Sequence, residues 1–268
     1  MDLGLEGKRV LCTGGSGGIG QGICRALAAE GALVAVHHHR NEQAAKRLAA
    51  ELPGPGPGPG PSAVAVGGDL GTVEGAEAAV SAASDAFGGL DILVHCAGVW
   101  PPEPLPLWRL SPERIEATLR VDLTAAFLAA GAFLRQLETQ RQEHGNLVFI
   151  GSTAGIFGEA DHADYAAAKS AVIFGLVRSL KNEIVRIAPR GRVNAVCPGW
   201  VRTPMTRAAL EDPTLVPRVT RTMPLRKLAT VTDVATQVVL LASDTASGHV
   251  SGQIVTVAGG MEGRILHE

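Results

Sequence analysis

The sequence predicts an α/β protein in which one doubly wound parallel sheet carries helices on both faces. Three observations support this. Seven short runs rich in Val, Leu and Ile recur along the chain, segments of helical periodicity lie between them, and a glycine-rich turn joins the first run directly to the first helix. Uninterrupted apolar runs are what strands buried on both faces require, and regular alternation of strand and helix implies βαβ units.

In order, the strand runs are Arg9 to Thr13, Leu33 to His37, Ala63 to Val66, Ile92 to His95, Leu147 to Ser152, Arg192 to Cys197 and Ile254 to Val257. The helical segments between them are Gly20 to Glu30, Glu42 to Leu52, Val73 to Phe87, Pro112 to Thr139, Tyr165 to Ile187 and Val231 to Leu241. Between the second helix and the third strand runs the Pro/Gly repeat Pro53 to Pro61. It cannot continue a helix or fill a central strand, because Pro lacks the amide donor and Gly resists neither conformation. An elongated turn at the amino ends of the strands is expected there, opposite the ligand edge of such a sheet and without a catalytic role.

The 268 residues, 46% hydrophobic and 19% charged, describe a well-buried globular chain. A formal charge of −2 provides no global field for nucleic acid or an anionic membrane, so neither partner is expected. The N-terminal residues carry no charged-then-apolar secretory pattern, which points to the cytoplasm. The charge-free apolar stretch Leu123 to Leu134 is too short to span a bilayer. Cys12, Cys24, Cys96 and Cys197 stand at wide spacings with neither a CxxC pair nor zinc-ligand spacing, so free thiols and no metal are expected.

The first chemical signal is Thr13-Gly-Gly-Ser-Gly-Gly-Ile-Gly20, at the end of the first strand and the start of a helix. Glycines there let the backbone turn tightly and approach a pyrophosphate, whose charge the free amides of the helix N-terminus stabilise. A dinucleotide site is the natural inference. About 20 residues beyond such a turn, an acidic residue binds the ribose 2′-hydroxyl of NAD. This chain has His38, His39 and Arg40 in that region, donors and positive charge suited to a 2′-phosphate. NADP(H) is therefore favoured, with NAD(H) the alternative. The run His37-His38-His39 makes a poor metal site, since strand alternation separates His38 from its neighbours.

The TGxxxGxG turn (Thr13, Gly14, Gly18, Gly20), Asp69-Leu70 after the third strand, His95-Cys-Ala-Gly98, Ser152 ahead of Tyr165-Ala-Ala-Ala-Lys169, and Cys197-Pro-Gly199 followed by Thr203 appear in this order. Together they resemble the short-chain dehydrogenase/reductase family over nearly the whole chain, with 3-oxoacyl-carrier-protein reductase-like and glucose dehydrogenase-like members most similar. The resemblance implies one Rossmann-type domain over residues 1–268. It implies an NAD(P)(H)-dependent oxidoreductase that interconverts a carbonyl and a secondary alcohol, with Ser152, Tyr165 and Lys169 catalytic. It further implies cofactor contacts from Gly14, Ser16, Gly17, Gly18, Ile19 and Gly20, from Asp69 and Leu70, from Cys96, Ala97 and Gly98, from Tyr165 and Lys169, and from Pro198, Gly199, Val201 and Thr203.

Tyr165 and Lys169 lie four residues apart in a helical stretch and so share a face. A neighbouring ammonium favours the phenolate and is expected to bring the tyrosine towards working pH. In the scheme the family implies, Tyr165 protonates the carbonyl oxygen, Ser152 polarises it, and Lys169 holds the nicotinamide ribose. One departure stands out: Asp122 occupies the place of the family's usual Asn, which completes a water-linked relay to the lysine. Asp122 is expected to join the relay but to add a charge beside Lys169.

The substrate side is expected from Trp100, Ser152, Ile156, Phe157, His162 and Trp200, with residues 200–225 as a lid. Arg202, Arg207, Arg218, Arg221, Arg226 and Lys227 make that segment basic, which suits a solvated face, an anionic substrate or an acidic carrier protein. Glu143 and Asn182 stand where carrier-protein reductases of the family tend to be basic, with Arg141 and Lys181 nearby, which weakens the carrier reading. The long helical stretches have Ala, Gly and Leu on more than one face, and the resemblance implies a homodimer or homotetramer. The functional expectation is an NADPH-dependent ketone or 3-ketoacyl reductase acting on a small-molecule carbonyl. A sugar or polyol dehydrogenase is the alternative, and a catalytically silent nucleotide sensor is disfavoured by the intact Ser, Tyr and Lys.

Overall fold

The run Arg9–Thr13 (β1) is buried at Val10, Leu11, Cys12 and Thr13, as a strand in the middle of a sheet must be. In the computed structural model, which describes residues 1–53 and 61–261, it belongs to a seven-stranded sheet. The other strands are Leu33–His38 (β2), Ala63–Gly67 (β3), Ile92–His95 (β4), Asn146–Ile150 (β5), Arg192–Pro198 (β6) and Ile254–Val257 (β7). Their spatial order is β3-β2-β1-β4-β5-β6-β7 and every pairing is parallel. The order reverses between β1 and β4, which opens a crevice above their carboxyl ends.

Helices Gly18–Ala29 (α1), Glu42–Glu51 (α2) and Val73–Phe87 (α3) connect the first strands. Pro112–Leu119 (α4) and Ala125–Thr139 (α5) lie between β4 and β5, and Thr153–Phe157 (α6), Ala163–Ser170 (α7) and Val177–Glu183 (α8) between β5 and β6. Leu215–Thr220 (α9), Val231–Ala242 (α10) and Asp244–Ser247 (α11) precede β7. One face of the sheet packs Leu11, Leu93 and Phe149 against Ala79 of α3, Phe133 of α5 and Val177 of α8. The other packs Val10, Val34 and Val148 against Ile23 of α1, Leu48 of α2 and Val238 of α10. Alanine on these helix faces lets the backbones approach closely. Buried Asn146 and Arg192, at the amino ends of β5 and β6, donate to the Leu241 and Ala242 carbonyls and so satisfy the end of α10.

The structure corrects the expected elements in several places. The long helices are not uniform: a π turn, Arg120–Thr124, joins α4 to α5, and another, Ala171–Leu176, joins α7 to α8. Each inserts a residue and rotates the following side chains, which hydrophobic spacing alone does not register. The strand expected to reach Ser152 stops at Ile150, because Ser152 leaves the ladder to cap α6. The stretch Leu123 to Leu134 belongs to a helix of 28 residues, Pro112–Thr139, long and apolar enough to cross a membrane, but Ala125, Ala126, Ala129 and Phe133 face the core. Of the Pro/Gly turn, residues 54–60 lie outside the described residues.

Candidate active site

The crevice is built on one hydroxyl. Thr13, the last residue of β1, accepts the amide N–H groups of Cys96 at 3.0 Å and Ala97 at 3.1 Å, and its single hydrogen faces His95 Nδ1 at 3.1 Å. The end of β1 is thus tied to the turn after β4. Gly14 follows with φ of +64°, and a Cβ there would stand 2.8 Å from the Ala97 backbone. The chain then enters α1 at Gly17, which offers no side-chain cap, and no acid stands in the helix's first turn. The first amides of α1, beside Gly17, Gly18, Ile19 and Gly20, line a cavity of about 520 Å³. An uncapped twelve-residue helix opening onto a cavity suits a pyrophosphate.

Strand alternation sorts the histidines. His37 turns inward: its Nδ1 accepts the Gly14 N–H at 3.2 Å and its Nε2–H donates to the Gly68 carbonyl at 3.0 Å. It holds the glycine turn to the end of β3, a role the sequence reading missed. A second proton would set Nδ1–H against the Gly14 N–H, and burial holds the pKa at about 4. His38 lies outside the cavity lining, its ring against Gly67, because β2 points it to the opposite face from His37. His39, Arg40, Asn41 and Ser16 line the cavity, and Arg40 forms no ion pair among the described residues. Asp69 also lines it, paired with Arg120 and 4.0 Å from His39, whereas Leu70 is buried in the core. Cys96, Ala97, Gly98, Pro198, Gly199, Val201 and Thr203 complete this wall. The residues present fit a nicotinamide dinucleotide.

At the other end Ser152, Tyr165 and Lys169 converge on the same cavity. Ser152 is the N-cap of α6, accepting the Ala154 N–H at 3.1 Å, and its hydroxyl favours the ionised form of Tyr165. Lys169, buried on α7, places Nζ 5.7 Å from the Tyr165 ring centre, 3.1 Å from Asp122 Oδ1 and 3.4 Å from the Ile150 carbonyl. The π turn brings Asp122 fully inside, where its carboxylate also accepts the Val99 N–H at 3.2 Å. Such an ion pair needs a backbone without a side chain beside it: a Cβ on Gly98 would stand 2.6 Å from Asp122 Oδ1 and 2.9 Å from Lys169 Nζ.

The electrostatics differ from the expectation for Tyr165. Burial pushes its pKa above the usual phenol value, outweighing Lys169 and Ser152, which favour the phenolate, while Asp122 and Glu159 disfavour it. Burial acts against the Lys169 ammonium, but Asp122, Tyr165 and Cys96 together more than offset this and the lysine pKa rises. Burial likewise raises Asp122, and Lys169 opposes that rise. The carboxylate of Asp122 thus opposes part of the positive field that Lys169 sets at the tyrosine.

The substrate end is aromatic and acidic. Trp100 and Trp200 line it, in edge contact with ring centres 5.6 Å apart. Ile156, Phe157 and His162 do not: Ile156 packs on the core, Phe157 is exposed, and His162 is buried behind Trp100, stacked at 4.6 Å and hydrogen-bonded to the Pro101 carbonyl at 2.9 Å. Glu159, overlooked in sequence because one carboxylate in a loop carries no pattern, lines the cavity and accepts the Trp100 Nε1–H at 3.1 Å. From residues 200–225, Trp200, Val201, Thr203, Met205 and Thr206 reach the cavity, and Thr203 and Pro204 sit over Gly18. None of Arg202, Arg207, Arg218, Arg221, Arg226 and Lys227 lines it. Among the described residues no group of His, Cys, Asp and Glu could hold a metal ion.

A family model described as Enoyl-(Acyl carrier protein) reductase matches residues 14–262. The chain is 35% identical over 260 residues to the 3-oxoacyl-(acyl-carrier-protein) reductase FabG of Vibrio cholerae serotype O1, covering 97% of this chain and 99% of that protein. It is 34% identical over 254 residues to the 3-oxoacyl-(acyl-carrier-protein) reductase MabA of Mycobacterium bovis, covering 95% and 92%. Among solved structures it resembles a short-chain dehydrogenase/reductase, titled glucose/ribitol dehydrogenase, from Brucella melitensis, with a TM-score of 0.84, 29% identity and coverage of 96% and 97%.

Proposed function

The chain belongs to the short-chain dehydrogenase/reductase family, an oxidoreductase interconverting a carbonyl and a secondary alcohol with NAD(P)(H), and from that premise we propose that it is an NADPH-dependent ketone reductase acting foremost on 3-ketoacyl compounds. The observation that carries this reading is the convergence of Ser152, Tyr165 and Lys169 on the cavity that the uncapped start of α1 also lines. When bound, the nicotinamide supplies the hydride. The Ser152 hydroxyl orients the carbonyl oxygen, and the Tyr165 O–H delivers the proton to the oxygen as it becomes an alkoxide. Lys169 anchors the nicotinamide ribose and makes the loss of that proton less costly. Asp122 fixes the ammonium in place.

Arg40 is the residue we assign to the 2′-phosphate, with His39 and Ser16 beside it, and this supports NADP(H) over NAD(H). Thr203 and Pro204, over Gly18, are the part of the 200–225 lid that would close on the cofactor. The exposed rings of Phe127 and Phe174, on the two long helices, support a homodimer or homotetramer. A sugar or polyol dehydrogenase is the second reading, favoured by the carboxylate and indole rings at the substrate end. A panel of β-keto esters, simple ketones, polyols and aldoses, followed by NADPH and NADH absorbance in both directions, tests the assignment. Reduction of β-keto esters with NADPH is expected, and turnover of polyols alone would replace this reading with the second.

A further inference from the structure

We propose that Glu159 sorts substrates by charge: it admits carbonyl compounds whose neighbouring group is neutral or bears a hydroxyl, and refuses those carrying a carboxylate or phosphate there. This rests on the ketone-reductase reading and deepens it, since it selects an ester, thioester or hydroxy ketone over a free 3-oxo acid.

Glu159 is a built feature of the site. It sits in the turn between α6 and α7, where Gly158 and Asp161 adopt φ of +81° and +64°. Its Oε1 accepts the Trp100 indole N–H at 3.1 Å and lies 3.7 Å from His162 Nδ1. His162 is itself fixed by the Pro101 carbonyl and stacks on Trp100 with an interplanar angle of 18°. The carboxylate is half-buried, lines the same cavity as Ser152 and Tyr165, and lies close enough for its charge to act on the phenol.

Among the described residues, no lysine or arginine at the substrate end pairs with it, and His162 is its one charge-capable partner. The cavity's cationic side chains stand elsewhere: Lys169 pairs with Asp122 and Arg120 with Asp69, while Arg40 lines the wall beside His39, at the dinucleotide end. The basic residues of 202–227 do not reach the cavity. A carboxylate brought beside Glu159 thus meets a like charge in a half-buried site. A hydroxyl meets an acceptor with lone pairs to spare beyond the one Trp100 uses.

Three ketones of one skeleton make the test: pentan-2-one, 4-hydroxybutan-2-one and acetoacetate. Wild type should prefer the hydroxy ketone and use acetoacetate worst. In Glu159→Gln, whose amide oxygen still accepts the indole N–H, the acetoacetate to pentan-2-one ratio of kcat/KM should rise about ten- to a hundredfold. Glu159→Asp, which keeps the charge, should hold that ratio near the wild-type value. A wild-type preference for acetoacetate, or a ratio that Glu159→Gln leaves unmoved while all three ketones change together, overturns the proposal. Indole fluorescence, in which Trp100 and Trp200 report on the cavity against the constant background of exposed Trp108, gives dissociation constants of the same ketones on the NADP+ complex without turnover. Absence of turnover with every ketone would sink the reductase reading, and the binding ratios would still decide the role of Glu159.

Discussion

Replacing Asp122 by Asn should move the ionisation of Tyr165 towards neutrality. The carboxylate lies 3.1 Å from Lys169 Nζ, which lies 5.7 Å from the tyrosine ring centre, so the negative charge is no farther than about 9 Å from that ring. With an effective dielectric constant of about 20, a charge at that limit costs a phenolate about 2 kcal/mol, a little over one pKa unit. Asn removes this repulsion and unmasks the ammonium, and both changes favour the phenolate. The assay is direct because Tyr165 is the only tyrosine in the chain. Tyrosinate absorbance followed against pH reads its ionisation, and the pH dependence of alcohol oxidation reads the same group in catalysis. Both midpoints should fall by about one unit or more in the variant. Midpoints that stay together with wild type would show that Asp122 does not control the tyrosine, and the electrostatic account of its departure from Asn would fail.

Three other outcomes follow from the geometry. Arg40→Ala should weaken NADPH about ten- to a hundredfold more than NADH, and equal losses in the two dissociation constants would remove Arg40 from the 2′-phosphate site. Gly98→Ala should abolish reductase activity and lower the thermal midpoint, because its Cβ would fall 2.6 Å from Asp122 Oδ1; a variant as stable and active as wild type would contradict the packing described. Burial lowers His37 from 6.5 to about 4 and His95 from 6.5 to about 3, so the unfolded chain takes up these protons first as pH drops. Stability from both is therefore present above pH 6.5 and lost as pH falls towards 3, by on the order of 8 kcal/mol if both shifts act in full. Urea unfolding between pH 7.5 and 4.5 measures this, and a flat profile would speak against it.

Much of the fold was legible because it rests on local pattern. Uninterrupted apolar runs marked every strand to within two residues, and the glycine turn located the crevice because only glycine permits the approach of Gly14 to Ala97. The four-residue spacing of Tyr165 and Lys169 placed both on one helix face at the cavity. What escaped depends on three-dimensional context. Alternation correctly separates His38 from His37, but which of them faces inward is set by the pairing of β2, and only coordinates show His37 bridging Gly14 and Gly68. The π turn that buries Asp122 leaves no mark in hydrophobic periodicity. The tyrosine's raised pKa is a balance of burial against charge, and burial cannot be read from the spacing to Lys169. Glu159 gains its meaning from Trp100, far from it in sequence.

Ketone reduction by Tyr165→Phe, measured beside NADPH affinity, tests the central claim most directly. Removing one hydroxyl leaves the glycine turn, Arg40 and Lys169 untouched, so the dissociation constant for NADPH should stay near that of wild type. The kcat for a neutral ketone should fall by about a hundredfold or more, the loss expected when a positioned general acid is deleted. Turnover close to wild type with NADPH still bound would contradict the assignment of Tyr165 as the proton donor.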